Sequence, residues 1–200
     1  MTNARNIALG LCACALTLLA GCVSDTRVGE DGAHAMLTAE AGHTVPASGE
    51  LVVVWTVSAG SPDYSYAFGR RSFADTTTVA LPLGTPPPAE ALNYGLGVAI
   101  ILAVSPEASI PDGRLDDATE STLEAGAFLG AASNQAIIYR NPASATDITW
   151  WASDFETGYS CGEGVPNPAG SGFDGFRPIE CSDVIIRFDD PAAFDFPNWT

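Results

Sequence analysis

The residues Leu19-Ala20-Gly21-Cys22 match the lipobox, the four-residue signal for covalent lipid attachment to bacterial proteins. They close an apolar run that begins at Ile7, and Arg5 provides a positive charge before it, as in a secretory signal peptide. The run is shorter than the about 20 apolar residues of a spanning helix. The sequence therefore predicts a signal peptide over 1–21, a Cys22 thiol that takes a diacylglycerol group, and a Cys22 amine that takes a further fatty acid such as palmitate.

Two or more acyl chains anchor a protein stably, whereas one chain gives marginal binding. We therefore expect an exported protein that meets the membrane through its lipid anchor. Val23 follows the anchor directly and is not an acidic retention signal, which favours the outer membrane over the inner one. The alternative is an ordinary secretory signal in which Cys22 is incidental.

Cysteine usage supports an oxidising compartment. Cys12 and Cys14 fall within the signal peptide and Cys22 is acylated, so Cys161 and Cys181 remain as an even pair. Exported proteins use such pairs as structural disulfides. The sequence predicts one Cys161–Cys181 disulfide that staples a Gly- and Pro-rich loop.

A second pattern, Gly158-Tyr159-Ser160-Cys161-Gly162, fits the Gly-x-Ser-x-Gly turn that exposes a hydrolase serine. A serine nucleophile of that class needs a downstream histidine as its base, and no histidine follows His43. We interpret the pattern as a tight turn that places Cys161 for its disulfide. The sequence predicts no catalytic residue and no cofactor-binding residue here.

Asp112 and Asp116 are weak candidates for a calcium site. They flank Gly113 as in the end of an EF-hand-type loop, in which carboxylates alternate before a glycine. Ala108 and Ile110 occupy the first ligand positions and Thr119 the position of the bidentate glutamate. Glu107, Asp117 and Glu120 would have to complete the six to eight oxygens that calcium takes. We therefore predict no cofactor, with calcium as the alternative to a solvated acidic turn.

Aromatic residues crowd near the predicted disulfide and form a candidate binding face. The face comprises Trp150, Trp151, Phe155 and Tyr159, which would suit a sugar or a peptide; the alternative is that they pack in a core. Asp154 and Glu156 alternate beside them and could serve a glycan hydrolase, although acidic surface pairs are common in this chain.

Charge excludes one class of partner. Removal of the signal takes Arg5 but no acidic residue, so 7 basic residues face 24 acidic ones and the mature formal charge is −17. A protein that binds nucleic acid neutralises phosphates with basic residues. Nucleic acid is therefore not an expected partner, whereas a protein or a glycan of the envelope is.

The elements that position these residues are predicted to be short strands. Apolar or β-branched runs bounded by turn residues occur over 51–57, 64–68, 76–83, 96–104, 135–140, 148–152 and 184–188. Residues 89–93 suggest one helical turn and 116–125 a short helix. Seven or eight strands with little helix predict an all-β fold, an antiparallel β-sandwich of the immunoglobulin-like or transthyretin-like kind. We place a flexible acidic tether over 22–49 and the sandwich over 50–200.

The order of several short segments resembles that of uncharacterised predicted lipoproteins of myxobacteria. The likeness covers roughly 50–200 and rests on Val54-Trp55-Thr56-Val57-Ser58, Tyr66-Ala67-Phe68-Gly69, Leu81-Pro82 with Pro86-Pro87, Val98 to Val104, Asp112-Gly113-Arg114-Leu115, Phe128-Leu129-Gly130, Ile137-Ile138-Tyr139-Arg140 and Gly158 to Gly162. Some of these proteins have a fuller Asp-x-Asn-x-Asp-Gly loop, from which this chain departs at Ala108 and Ile110. The resemblance implies a lipoprotein and brings no known activity.

These observations favour a non-enzymatic envelope lipoprotein that presents a β-sandwich as a structural or binding module. Two alternatives stay open. One is an exported hydrolase, for example a glycan hydrolase, that depends on carboxylates or a metal. The other is a degenerate calcium-binding surface protein.

Overall fold

A computed structural model of the chain describes residues 33–57, 64–132, 134–143, 150–166 and 173–188. Its strands are β1 His34–Thr38, β2 Ser48–Val57, β3 Tyr64–Ala74, β4 Thr78–Ala80, β5 Leu96–Val104, β6 Gly113–Arg114, β7 Phe128–Ala132, β8 Gln135–Arg140, β9 Gly158–Pro166, β10 Phe173–Ile179 and β11 Val184–Arg187. The helical segments are short: α1 Asp117–Thr122, which runs into a π turn at Leu123–Ala127, and 3₁₀ turns at Ala89–Ala91, Trp150–Asp154 and Cys181–Asp183.

The centre of the sheet is the antiparallel pair β2 and β5, which runs in register from Glu50 opposite Val104 to Thr56 opposite Val98. Both strands are apolar along most of their length. Residues of β2 alternate between two buried clusters, one on each face. A strand buried on both faces reads as a continuous apolar run, which explains why 51–57 and 96–104 were visible in the sequence.

The edge of β5 that faces away from β2 pairs with two different strands. Leu96 to Ala99 pair with β8, whereas Leu102 to Val104 pair with β7. From this point the sheet separates into two parts, which we name the β9 wing (β9 and β10, beside β8) and the β1 wing (β11, β1 and β4, beside β7). On the other side of β2 lie β3 and then β6.

The β1 wing forms a second layer over the central strands. Buried residues of β1, β4 and β11 belong to the same core cluster as those of β2, β5 and β8. The Phe73 ring of β3 contacts the Phe188 ring beyond β11, with 6.1 Å between centroids. The opposite face of the sheet is covered in two places, by the segment 105–127 at one end and by Phe155 at the other.

The predicted all-β class with one disulfide is confirmed, and the structure adds detail that the sequence lacked. Within the described residues there are eleven strands in one open, mixed sheet, rather than seven or eight. Nine strand pairs are antiparallel, and the β1–β11 pair is parallel. The strands that the sequence did not predict are β1, β6, β7, β9 and β10, which are short or interrupted by Gly or Pro.

Two sequence predictions need correction. Residues 34–38 were assigned to the tether, but they form β1, and Ala33, Ala35 and Leu37 are buried in the main core. The strand predicted over 148–152 is replaced, where the structure describes it, by the 3₁₀ turn Trp150–Asp154. Arg140 holds that turn, since its Nη1 donates to the backbone carbonyl oxygens of Ser153 and Phe155.

Candidate functional site

The lipobox, the signal peptide over 1–21 and Cys22 lie before the described part of the chain, which starts at Ala33. Across the described ranges, no helix is long and apolar enough to cross a membrane. The lipid anchor and the outer-membrane location therefore remain predictions from the sequence.

Asp112 is held by an arginine on the neighbouring strand. Its Oδ1 accepts hydrogen bonds from Nε and Nη2 of Arg70, at 3.1 and 2.8 Å. The same guanidinium donates from Nη1 to Glu50 Oε2 at 3.1 Å and from Nη2 to the Ile110 carbonyl oxygen at 2.8 Å. Arg70 thus fastens the 110–112 loop to β2 and β3. Asp112 serves as an anchor for this loop.

Asp116 caps the first turn of α1. Its Oδ1 accepts from the backbone N–H of Thr119 at 3.0 Å and from the Thr119 hydroxyl at 2.9 Å, as an N-cap aspartate does. These hydrogen bonds, the backbone one first, lower the pKa of Asp116 below its ordinary value. The capping residue is thus Asp116, and the helix spans Asp117–Thr122 rather than the predicted 116–125.

Asp112 and Asp116 do not converge with other ligands in the described ranges. There, no group of three or more His, Cys, Asp or Glu side chains is placed to hold a metal ion. Glu107 accepts instead from the Ser105 hydroxyl, which lowers the pKa of that carboxyl. His34 lies on β1, and His43 is exposed in the following loop. The side chains of Asp117 and Glu120 lie outside the described part.

The predicted disulfide is present between Cys161 and Cys181, whose Cα atoms are 5.0 Å apart. Cys161 lies on β9, and Cys181 begins the 3₁₀ turn that leads into β11. The bond therefore joins the two wings where the chain crosses from one to the other. Both cysteines are buried in the main core.

The candidate aromatic face is divided between the two sides of the sheet. Phe155 is 1% exposed and packs on Ala136 and Ile138. Tyr159 lies on the opposite side, where its ring contacts Tyr139 and Trp55 with centroid distances of 4.9 and 6.2 Å. The structure does not bring Phe155 and Tyr159 to one surface. Trp150 and Trp151 are in the 3₁₀ turn, and their side chains lie outside the described part.

Tyr159 is fixed by more than its ring contacts. Its hydroxyl donates to the Thr85 carbonyl oxygen at 2.6 Å, which ties β9 to the segment that follows β4. Burial, with a smaller contribution from Tyr139, raises the pKa of the Tyr159 phenol. These contacts give Tyr159 a structural role in the core.

The Gly-x-Ser-x-Gly pattern lies within β9, so the tight turn expected there is wrong. Ser160 is fully buried opposite Ile138, on the face of the sheet that Phe155 covers. A Cβ on Gly162 would lie 2.9 Å from the Phe155 ring, so the second glycine allows this ring to approach the strand. The pattern thus reflects close packing, and a buried strand serine is not presented as a nucleophile.

The carboxylates of Asp154 and Glu156, which lie beside this region, differ in their exposure to solvent. Asp154 is exposed at the end of the 3₁₀ turn, whereas Glu156 is half-buried. A paired-carboxylate site was predicted only as an alternative, and no geometry here favours it.

Sequence reasoning missed a polar side chain that joins β8 to the β1 wing. Gln135 begins β8 and donates from Nε2 to the Asp183 carbonyl oxygen at 3.0 Å, while its Oε1 accepts from the Ile185 N–H at 2.7 Å. It thus bridges β8 to the start of β11, where no main-chain ladder connects them. A lone glutamine between a bend residue and the rest of β8 carries no pattern that could have revealed this role.

Comparisons with models of known protein families, with curated proteins and with solved structures found no match.

Proposed function

We propose that the chain is a cell-envelope lipoprotein that carries a disulfide-stapled all-β domain and presents it as a non-enzymatic structural or binding module. The observation that carries the proposal is the lipobox Leu19-Ala20-Gly21-Cys22 at the end of a short apolar run. Its chemistry requires a thiol at Cys22 and small residues before it. The acyl chains would hold the domain at the membrane.

The disulfide agrees with an exported protein. Cys161 and Cys181 are buried and bonded to each other, and such structural bonds persist in oxidising compartments. The bond adds a covalent link between the β9 wing and the β1 wing, and on this proposal the link forms after export.

A structural or binding role also agrees with the positions of the residues that could do chemistry. Asp112 pairs with Arg70, Asp116 caps α1, and Ser160 is buried in a strand. Asp112 and Asp116 thus have structural partners, whereas the buried Ser160 hydroxyl lies within a strand and has no hydrogen-bond partner among the described residues. Turnover by carboxylates or a metal remains the rival interpretation.

Acyl labelling in a Gram-negative host tests the anchor. We expect the full chain to incorporate an alkyne-labelled fatty acid and to band with the outer membrane on a density gradient. Cys22→Ala should lose the label, whereas Cys161→Ala should keep it, because only the first change removes the acylated thiol. Equal labelling of wild type and Cys22→Ala would contradict the proposal.

Binding and turnover can be separated on isolated cell-wall glycan. If the module binds glycan through the tryptophans, Trp150→Ala with Trp151→Ala should abolish co-sedimentation. Asp154→Asn with Glu156→Gln should leave co-sedimentation intact. Release of soluble sugar by the wild type, lost in the carboxylate variant, would support the hydrolase instead.

A further inference from the structure

The β1 wing turns one side of its three strands away from the core. Ala35, Leu37, Val79, Val184 and Ile186 point inward and are buried. The alternate residues point the other way, and we name this surface the outer face of the wing; it consists of His34, Met36, Thr38, Thr78, Ala80, Ile185 and Arg187.

The centre of the outer face is apolar. Met36 is opposite Ile185 on one neighbouring strand and opposite Thr78 on the other. Its side chain is 46% exposed, and Ile185 beside it is half-buried. Met36 and Ile185 thus place two apolar side chains next to each other on the outer face.

The charge of the outer face differs from that of the chain as a whole. The sequence contains 24 acidic residues against 8 basic ones, yet none of the residues of β1, β4 or β11 is acidic. The charged side chain at its corner is Arg187, which lies 3.6 Å from Glu40. The three strands themselves therefore carry no carboxylate that anionic lipid headgroups would repel, and the Glu40 carboxylate at their corner is paired with Arg187.

The position of β1 also limits how far the domain can move from the lipid anchor. Cys22 and Ala33 are eleven positions apart, so the connection spans at most about 40 Å whatever its conformation. A tether that reached residue 50 would have allowed about 100 Å. The described part of the chain begins at Ala33 and continues into β1, whose first residue, His34, lies on the outer face.

We propose that the outer face of the β1 wing lies against the headgroups of the membrane that holds Cys22. The proposal rests on the lipid anchor of the proposed function and names the surface that the anchor brings to the bilayer. The short connection gives the face a high effective concentration at the membrane. A small neutral patch centred on Met36 and Ile185 can then suffice, because the acyl chains supply most of the binding energy.

Fluorescence quenching on vesicles tests this orientation. The full-length acylated protein would be reconstituted in phosphatidylethanolamine and phosphatidylglycerol vesicles that contain a headgroup-linked quencher. Met36→Cys and, as the matched control, Tyr94→Cys would each carry the same fluorophore. Tyr94 is 82% exposed and lies in the turn before β5, at the end of that strand remote from β7 and the β1 wing.

We expect quenching at position 36 to exceed that at position 94 by about threefold or more, because an interfacial face sits at headgroup depth. Equal quenching at the two positions, or stronger quenching at 94, would overturn the proposal. The proposal would also be overturned if, in detergent without lipid, the label at position 36 became more protected from the quencher as the protein concentration rose. In that case a second copy of the chain would cover the face. The mass of the acylated Cys22 peptide and flotation with the vesicles are measured first, so that failure of the anchor is distinguished from failure of the orientation.

Discussion

At the scale of single residues, the acidic side chains that could suggest a metal site instead make local hydrogen bonds and ion pairs that stabilise a loop and a helix end. Asp116 shows this most clearly, because one oxygen accepts both the Thr119 N–H and the Thr119 hydroxyl. An alanine at an N-cap loses such a bond, whereas an asparagine can retain it. We expect Asp116→Ala to lower the melting temperature at pH 7 and Asp116→Asn to stay closer to wild type. Equal losses in both variants would contradict a capping role.

The same cap gives a pH dependence with a definite sign. The folded-state pKa of Asp116 is lowered from 3.8, so its contribution to stability is present above that value and is lost as the pH falls through the lowered one. The difference in melting temperature between wild type and Asp116→Ala should therefore shrink in acid below about pH 4. A difference that grows in acid would show that the carboxylate is not stabilised in the fold.

At the scale of elements, the joint between β7 and β11 depends on a glycine. A Cβ on Gly130 would lie 2.1 Å from the Arg187 carbonyl oxygen, and that oxygen belongs to the backbone of β11. Gly130→Ala should therefore destabilise the fold by about 2 kcal/mol or more, as overpacking does. Gly84→Ala is the control, because nothing lies within 4 Å of a Cβ there. Urea denaturation measures both, and similar midpoints would argue against this packing.

The second prediction at this scale concerns the disulfide that joins the two wings. Cys161 and Cys181 are 20 positions apart, and closing a loop of that length contributes roughly 3 kcal/mol on the chain-entropy estimate. We expect Cys161→Ser to lower the stability of the domain without altering its export. Unfolding of wild type and variant under oxidising conditions measures the loss, and equal melting would contradict it.

The elements that could be predicted from sequence are those whose own residues supply the burial. β2, β5, β8 and β11 are continuous apolar runs, and all four were predicted close to their observed bounds. β9 and β10 are interrupted by Gly and Pro, and contacts with residues distant in the sequence, such as the Arg177–Glu163 ion pair between the two strands, accompany their pairing. β1 carries only a short alternation, and its partner β11 lies almost at the other end of the sequence. Pairings of this kind leave little local signal.

The candidate site was predicted less well than the fold, because the sequence does not show on which face of the sheet a side chain lies. The cysteine pair could be found because few other partners exist for either thiol. The composition could not show whether the aromatic residues share one surface, since Phe155 and Tyr159 are four residues apart yet pack on opposite sides of the sheet. The residue at which β9 begins decides which of its side chains point to which face of the sheet, and the sequence pattern did not reveal that residue.

At the scale of the whole molecule, the strong acidity need not imply a cation ligand. Asp112 already pairs with Arg70, and Asp116 with the helix N-terminus. We therefore expect millimolar calcium to leave the melting temperature nearly unchanged, because only a ligand that binds the native state raises it. Magnesium at equal ionic strength serves as the control for screening. A rise of several degrees specific to calcium would restore the calcium-binding alternative.

The measurement that tests the account most directly is the intact mass of the amino-terminal peptide of the mature protein from host membranes. The account predicts that the peptide begins at Cys22 and carries a thioether-linked diacylglycerol and an amide-linked fatty acid. An unmodified Cys22, or a mature chain that retains residues 1–21, would contradict it.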